Sequence, residues 1–277
     1  MSTITVPDVE LANGGTIPQF GLGVFQIPPD DTAEVVREAL EAGYRHLDTA
    51  QMYRNEKGVG EGVAKSGVAR EDVFITTKLA NDAHGYDNAI NALEGSLQRL
   101  GTDYVDLYLI HWPLPGKDLY PATWTALGDI LRAEKARAIG VSNFQPAHLD
   151  RLREESGVVP SVNQIELHPL LQQEELRAYH RGHGIVTEAW SPLAQGEVLA
   201  GPVLAKLAEK HGRSAAQIVL RWHIQLGNVV FPKSANAERL RENIDIFDFE
   251  LDDEDMRSIT GLDAGRRTGP DPDTFAG

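Results

Sequence analysis

The feature that most constrains this chain is the alternation of short strand-like segments with longer helical patterns. Short runs rich in β-branched and aromatic residues alternate with amphipathic stretches of about ten residues or more, from position 19 to position 244. Strands that alternate with helices in this way pair in parallel, with the helices as connections. The sequence therefore predicts an α/β protein built on a parallel sheet.

Eight such units can be counted. The predicted strands cover 19–24, 45–48, 73–78, 104–111, 138–142, 162–166, 185–190 and 228–232. The predicted helices cover 32–42, 58–65, 88–100, 123–133, 146–155, 174–183, 203–211, 215–226 and 237–244. Ahead of them we expect a hairpin over 9–17, because Asn13-Gly14 supplies the positive φ angles of a tight turn. Eight strand–helix units in about 250 residues fit a (β/α)8 TIM barrel.

The alternative is a doubly wound open sheet. That fold should carry G-x-G-x-x-G after its first strand, but the stretch GLGVFQ at 21–26 lacks the third glycine and the helix begins too late. No linker, repeat or change of composition divides the 277 residues. We therefore expect one barrel domain over 1–277.

Composition excludes several classes of function. The 26 Lys and Arg residues against 41 Asp and Glu residues give a net charge of −15, which argues against a nucleic-acid partner. The absence of cysteine excludes disulfides, thiolate metal sites and cysteine nucleophiles. No apolar run approaches the roughly 20 residues that span a bilayer, and the first 20 residues contain no apolar signal segment. P-loop and H-E-x-x-H motifs are also absent. A cytoplasmic protein without a membrane partner or a metal is expected.

Polar residues stand where three successive predicted strands end. These are Asp48, Lys78 and His111, and Tyr53 follows Asp48 by five residues. Active sites of (β/α)8 barrels lie at the carboxyl ends of the strands, so neighbouring strands should bring these side chains together. Each residue type alone is more often structural, but the combination on three successive strands is much more specific.

Their chemistry favours reduction of a carbonyl. A free tyrosine, with a pKa of about 10, is a poor acid at neutral pH. The ammonium of Lys78, fixed by Asp48, is expected to lower that pKa and ease proton transfer. His111 can donate a hydrogen bond to a substrate carbonyl. What this set lacks is a hydride, so a cofactor must supply it.

Six motifs are those of a known family. They are GYRHLDTA at 43–50 with Tyr53 and Asn55-Glu56, ITTKL at 75–79, DYVDLYLIHWP at 103–113, IGVSNF at 139–144, NQIE at 163–166 and PKS at 232–234. In these the chain resembles the aldo-keto reductases over essentially its full length, and the bacterial 2,5-diketo-D-gluconic acid reductase branch in particular. The resemblance implies a barrel whose bottom an N-terminal hairpin closes. It also implies a monomer that reduces aldehydes or ketones with NADPH, with Tyr53 as general acid, Lys78 and Asp48 tuning it and His111 orienting the carbonyl.

The same resemblance implies a set of cofactor residues. Ser142, Asn143 and Gln164 fall where the family holds the nicotinamide carboxamide, and Trp190 falls where a ring stacks on it. The remaining positions are Ser191, Leu193 and Gln195 at the pyrophosphate, Lys233, Ser234 and Arg239 at the adenosine 2′-phosphate, and Glu242 and Asn243 at adenine.

The sequence departs from the family near the substrate and the 2′-phosphate. Ala80 stands where relatives often have Trp, and Gln51 where they often have a small residue, so a roomier and more polar mouth is expected. Asn236 stands where relatives often place an Arg on the 2′-phosphate, so one phosphate contact is expected to be missing. Phe25 and Trp112 are the candidates for an apolar lining of the pocket. The tail at 269–275 resembles a family tail that folds toward it.

Two other functions stay open at the level of sequence. One is a barrel glycosidase that uses carboxylates such as Asp48 and Glu166, although it leaves Tyr53 and Lys78 unexplained. The other is a non-catalytic NADPH-binding sensor or regulatory barrel. A fluorescence change on addition of NADPH separates the reductase from the glycosidase. Turnover of a test aldehyde separates it from the sensor.

Overall fold

The computed structural model describes residues 5–277, and residues 1–4 of the expected single domain lie outside the described residues. The chain begins with the predicted hairpin, in which β1 (Asp8–Glu10) pairs antiparallel with β2 (Thr16–Pro18). Gly14 has a φ of 84°, a left-handed conformation that a tight turn requires. The Asn13 side chain accepts a hydrogen bond from the Gly15 amide and donates one to the Arg137 carbonyl, which ties the turn to the start of a later strand.

Eight further strands form one sheet in chain order, and every pairing in it is parallel. They are β3 (Leu22–Gly23), β4 (His46–Asp48), β5 (Phe74–Leu79), β6 (Val105–Ile110), β7 (Ala136–Ser142), β8 (Val162–Glu166), β9 (Val186–Trp190) and β10 (Val229–Val230). The first and last segments also pair. Gly21 N–H donates to the Val230 carbonyl, and Val230 N–H donates to the Gln19 carbonyl. The sheet is therefore closed on itself, which confirms the predicted barrel.

Ten α-helices surround the sheet in the described chain. They are α1 (Pro29–Glu41), α2 (Glu56–Ser66), α3 (Tyr86–Leu100), α4 (Tyr120–Arg132), α5 (Pro146–Ser156), α6 (Glu174–His183), α7 (Pro202–His211), α8 (Ala215–Gln225), α9 (Ala237–Ile244) and α10 (Asp253–Thr260). Nine match predicted helices, with several starts two or three residues earlier. None of the helices in residues 5–277 is long and apolar enough to cross a membrane.

Helix α2 shows why a glycine-rich segment folds as a helix here. An added Cβ at Gly60 would lie 2.0 Å from the Leu100 carbonyl oxygen, and one at Gly62 would lie 2.6 Å from the Cβ of Val36. Glycine weakens a helix by roughly 1 kcal/mol relative to alanine, but at these positions it lets α2 pack closely against α1 and the end of α3. In α2, close packing against neighbouring helices therefore outweighs the low helix propensity of glycine.

The closed parallel sheet places all strand carboxyl ends at one end of the barrel. β6 is buried along its whole length, and β4 and β8 are buried as well. Because side chains alternate between the two faces of a strand, residues two apart share a face. The mouth at this end is surrounded by polar and aromatic residues that stand at or near the ends of their strands, namely Asp48, Lys78, Gln164 and Trp190.

Candidate active site

The loop after β4 carries Tyr53 and is held firmly. A single 3₁₀ turn, Gln51–Tyr53, ends at Arg54, whose φ is 59°. The Thr49 hydroxyl donates to Asn55 Oδ1 at 2.9 Å, and Asn55 Nδ2 donates to the Val24 carbonyl at 2.8 Å. Both side chains are buried, so these bonds anchor the loop to the segment after β3 and bring Tyr53 back over the mouth.

Lys78 joins the predicted acid and its partner. Its Nζ donates to Asp48 Oδ1 at 2.7 Å, to the Thr49 carbonyl at 2.8 Å and to the Tyr53 hydroxyl at 3.4 Å. The Lys78 side chain is completely buried. A buried ammonium is stable only when it is paired and hydrogen-bonded, and these three acceptors supply that. The structure thus brings Asp48, Tyr53 and Lys78 together around one nitrogen.

Lys78 and Asp48 stabilise the charged form of each other. Burial lowers the pKa of Lys78, but the charge and hydrogen bond of Asp48, together with Tyr53 and Glu188, outweigh this and the net shift is upward. Burial raises the pKa of Asp48, and the ammonium of Lys78 opposes the rise. Lys78 therefore stays cationic, with Asp48 as its counter-ion.

The net shift of Tyr53 differs from the one expected from Lys78 alone. Burial raises the pKa of the phenol, Lys78 lowers it and Asp48 raises it, and the sum is upward. Lys78 acts in the expected direction and lowers the pKa, but the removal of the ring from water, which that expectation did not include, outweighs it. At neutral pH the phenol therefore holds its proton, as a proton donor must.

His111 lies beside Tyr53 as a neutral imidazole. The two rings meet edge to face with centroids 5.7 Å apart. Burial lowers the pKa of His111 well below its usual value, and the charge of Lys78 lowers it further. Nδ1 is buried without a hydrogen-bond partner among the described residues. A neutral imidazole keeps one N–H to donate, so His111 can hold a carbonyl oxygen near the phenol.

Gln164 contacts two carboxyl groups, one of which the sequence analysis missed. Its Nε2 donates to Asp48 Oδ2 at 2.8 Å and to Glu188 Oε2 at 2.9 Å. Glu188 is on β9 and fully buried. The available signal was an acidic residue inside an otherwise uncharged strand, two positions before Trp190.

Ser142, Asn143 and Trp190 form one hydrogen-bonded group. Asn143 Nδ2 donates to the His111 carbonyl and to Ser142 Oγ, and Asn143 Oδ1 accepts from Trp190 Nε1 at 2.8 Å. The Ser142 hydroxyl donates to the Gln164 carbonyl. Asn143 has a φ of 65°, an uncommon conformation for a non-glycine residue that concentrates at functional sites. The predicted nicotinamide contacts are thus neighbours that fix one another.

The other predicted cofactor residues lie in two segments. Ser191, Leu193 and Gln195 follow β9, where Ser191 and Gln195 have φ angles of 49° and 55°. Lys233, Ser234, Arg239, Glu242 and Asn243 lie in the segment after β10 and in α9. Ser234 and Asn243 are buried, whereas Lys233, Arg239 and Glu242 are exposed. Neither Lys233 nor Arg239 forms an ion pair within residues 5–277, so both cations are available to an anion.

Asn236 has a structural role that the sequence did not reveal. Its Oδ1 accepts from the Arg239 amide at 3.0 Å and caps the start of α9. An asparagine at this position fixes the beginning of the helix, but it adds no charge beside Lys233 and Arg239.

The predicted substrate residues differ in exposure and in the groups that they contact. Phe25 is 53% exposed, and its ring lies 5.0 Å from that of Tyr53. Gln51 Oε1 accepts from the Ala80 amide at 3.1 Å, so these two predicted residues are bonded to each other. Trp112 is buried under Phe275 of the tail, with ring centroids 4.4 Å apart.

Glu166 anchors that tail. Its carboxylate accepts hydrogen bonds from the Thr268 amide at 2.6 Å, the Thr268 hydroxyl at 2.7 Å and the Gly269 amide. Burial raises the pKa of Glu166, but the bonds from His168 and Thr268 outweigh it and hold the pKa below its usual value. Gly269 packs on Trp190, since an added Cβ would lie 2.4 Å from its ring. Glu166 is therefore fully occupied in holding the tail.

A cavity of about 620 Å³ lies at the other end of the barrel. Its lining includes Asn13 of the hairpin turn, Arg45, Asp106 and Arg137. The length of the strands separates it from Tyr53, so it is not part of the candidate active site. Within residues 5–277 no group of three or more His, Asp or Glu side chains is arranged to hold a metal ion.

Known proteins are similar to this chain in sequence and in fold. The profile of the Aldo/keto reductase family matches residues 15–264. An aldo-keto reductase of Mycolicibacterium smegmatis is 56% identical over 97% of this chain and 98% of its own. The glyoxal reductase of Bacillus subtilis is 52% identical over 99% of both. A crystal structure of a Gox0644 mutant in complex with NADPH matches with a TM-score of 0.94 and 48% identity, covering 98% of this chain and 99% of that one.

Proposed function

This chain belongs to the aldo/keto reductase family, and from that membership together with its site we infer that it reduces aldehyde or ketone carbonyls to alcohols with NADPH. The observation that carries the inference is the position of Lys78 Nζ, bonded at once to Asp48 Oδ1 and the Tyr53 hydroxyl. A buried ammonium that contacts a phenol stabilises the phenolate left by proton transfer. This arrangement serves an acid that gives up its proton during the reaction.

The residues at the mouth fit the cofactor. Gln164 Oε1 takes part in no hydrogen bond of the described residues, and Trp190 is only partly buried. We propose that Ser142, Asn143 and Gln164 hold the carboxamide and that Trp190 stacks on the ring. Ser191, Leu193 and Gln195 are the proposed pyrophosphate contacts, while Glu242 and Asn243 are those of adenine. For the 2′-phosphate we propose Lys233, Ser234 and Arg239, since guanidinium and ammonium groups suit a phosphate.

NADPH supplies the hydride when it is bound. The chain supplies orientation and the proton. Neutral His111 donates a hydrogen bond to the carbonyl oxygen, and Tyr53 releases the proton of its hydroxyl to that oxygen as negative charge develops. Lys78 stabilises the phenolate, and Asp48 keeps Lys78 charged and in place. The proton on the phenol is then restored from water.

The proposed substrates are small carbonyl compounds, including α-dicarbonyls. The name of the Bacillus subtilis relative points to glyoxal. Gln51 stands where relatives often have a small residue, and its amide, bonded to the Ala80 amide, gives the mouth a polar group. A panel of aldehydes, ketones and α-dicarbonyls, followed by loss of NADPH absorbance, tests both activity and substrate class. Absence of turnover with every member, while NADPH still changes the tryptophan fluorescence, would favour the sensor over the reductase.

No observation favours the glycosidase. It needs two carboxyl groups that are free to act on a sugar. Asp48 is bound to Lys78 and Gln164, and Glu166 is bound to Thr268 and Gly269. A cytoplasmic location and a monomeric state remain predictions, and light scattering on the purified protein tests the second.

A further inference from the structure

We propose that Glu188 is a positioning residue that fixes the amide of Gln164, so that Gln164 Oε1 faces the bound nicotinamide. This inference rests on the proposed function, because it assigns a task at the same cofactor site. Glu188 makes no hydrogen bond to Tyr53, Lys78 or His111, and the proton-transfer chemistry does not use it.

The sheet register places Glu188 directly beside Gln164. Gln164 on β8 and Glu188 on β9 are paired in the parallel ladder, and Glu166 and Trp190 are paired two residues further on. Side chains two apart share a face, so Glu188 lies in the barrel interior one level below Trp190. Its side chain has no exposed surface.

Two carboxyl groups together determine which way the Gln164 amide points. A glutamine amide has two N–H donors on nitrogen and acceptor sites on oxygen. The Nε2 donors reach Asp48 Oδ2 at 2.8 Å and Glu188 Oε2 at 2.9 Å, so both are used. With the amide reversed, its oxygen would face the Asp48 carboxylate, and that bond would become a repulsion. Oε1 is therefore left as the free acceptor, and a carboxamide NH₂ is the donor that it can take.

The charges nearby allow Glu188 to act as a neutral acceptor. Lys78 is the cation next to this group, and it is bonded to Asp48. His46 lies 3.9 Å from Glu188 Oε1, but burial holds the pKa of His46 down to about 3, so it carries no charge. Burial, reinforced by the charge of Asp48, raises the pKa of Glu188 to about 8. At neutral pH Glu188 thus accepts the Gln164 bond without placing a second negative charge beside Asp48.

Removal of this acceptor should affect the cofactor through Gln164. One Nε2 donor would then be buried without a partner, and the amide would lose the contact that holds it from the β9 side. Loss of one hydrogen bond of this kind corresponds to about a two- to tenfold effect. We expect that loss in the affinity for NADPH and in kcat, since the nicotinamide would be held less firmly.

The test compares Glu188→Met with Glu188→Gln. Methionine keeps the length of the side chain without an acceptor, whereas glutamine keeps an acceptor oxygen and resembles the neutral acid. Titration of NADPH into each purified protein by tryptophan fluorescence should show a Kd raised about two- to tenfold for Glu188→Met and nearly unchanged for Glu188→Gln. Circular dichroism and thermal melting check that both variants fold. If Glu188→Met does not fold, Glu188→Asp, which withdraws the carboxyl by one methylene, should show the same direction of change.

A double-mutant cycle separates positioning from a general loss of structure. If Glu188 acts through Gln164, then Glu188→Met should leave the Kd unchanged in a Gln164→Leu background. An equal loss in both backgrounds, or an unchanged Kd for the single variant, would overturn the inference while leaving the reductase intact. A wild-type protein that neither binds NADPH nor reduces any carbonyl would overturn the proposed function, and this inference with it.

Discussion

At the scale of single residues, opposing effects act on the proton of Tyr53. Burial keeps the proton on the phenol, and the ammonium of Lys78 stabilises its loss. We predict that Tyr53→Phe lowers kcat about 10²- to 10⁴-fold, the usual effect of losing a general acid. NADPH affinity should stay near the wild-type value, because no proposed cofactor contact is removed. Single-turnover kinetics and fluorescence titration measure the two quantities. Near-normal turnover would transfer the role of proton donor to His111.

Substitution of Asp48 should shift the pH dependence in a definite direction. The Asp48 carboxylate raises the pKa of Lys78 and of Tyr53. Asp48→Asn removes that charge, so both values should fall and the basic limb of the pH–rate profile should move to lower pH. Lys78→Met, which removes the ammonium itself, should reduce activity more than Asp48→Asn does. An unchanged basic limb in Asp48→Asn would mean that Asp48 only supports the loop.

The residues of this site differed in how far they could be predicted. The positions of Asp48, Lys78 and His111 could be predicted, because these residues lie at the ends of strands and sequence patterns locate strand ends well. The upward shift of the Tyr53 pKa could not be predicted, because burial depends on how the loop of Gln51–Tyr53 folds over the mouth. Glu188 was missed because its partner Gln164 lies 24 positions earlier in the sequence, and only the register of β8 against β9 brings them together.

At the scale of elements, α9 contains the proposed contact that distinguishes NADPH from NADH. Arg239 is exposed on α9 with Lys233 just before the helix, and neither is paired with an acid in the described chain. Arg239→Ala should weaken NADPH binding about tenfold or more, since charge-assisted bonds contribute roughly 1.5–3 kcal/mol, and should barely change NADH binding. Arg241→Ala, on the same helix, is the matched control. Equal losses for both cofactors would mean that Arg239 supports the helix instead of binding the phosphate.

Periodicity located nine helices and missed one. Helix α10 begins after Asp252, whose carboxylate accepts from the amides of Glu254 and Asp255. An acidic run with few apolar residues is typical of a surface loop, and the contact that secures α10 is tertiary. Lys210 of α7 donates to both Asp252 and Asp255. The position of the tail could not be predicted from the sequence for the same reason, because the bonds from Thr268 and Gly269 to Glu166 span more than a hundred residues.

At the scale of the whole molecule, barrel closure joins segments that are far apart in sequence. The count of eight units predicts a barrel, but the pairing of the segment 19–23 with the segment 230–233 is visible only in the structure. Closure matters for the site because it surrounds Glu188, Asp48 and Lys78 with the sheet on every side. The same enclosure holds several ionisable groups in their uncharged form.

Three enclosed histidines make the fold sensitive to acid. Burial lowers the pKa values of His46, His180 and His223 to about 3, against 6.5 in an unfolded chain. Between these values the unfolded state binds protons that the folded state does not, so stability falls as the pH drops below about 6.5. Urea unfolding from pH 7 to pH 4 should therefore show uptake of about three protons from these groups on unfolding, and more from paired carboxylates. A free energy of unfolding that stays constant over this range would contradict burial of neutral histidines.

The effect of Glu188 on the pH dependence of stability should be opposite to that of the histidines, and a single substitution can isolate it. Its pKa is raised to about 8 in the folded protein, against 4.5 in an unfolded chain. Between those values the unfolded state releases a proton that the folded state keeps, so this group destabilises the fold increasingly as the pH rises from about 4.5 to about 8. Glu188→Gln removes the ionisation and keeps the size of the side chain. Its Tm should therefore exceed that of the wild type by more at pH 8 than at pH 5, by at least about 2 °C if the difference reaches about 1 kcal/mol. The exposed Glu154→Gln is the control and should show no such growth. A difference in Tm that is the same at both pH values would mean that Glu188 is ionised inside the folded barrel, with Lys78 as a counter-ion shared between two carboxylates.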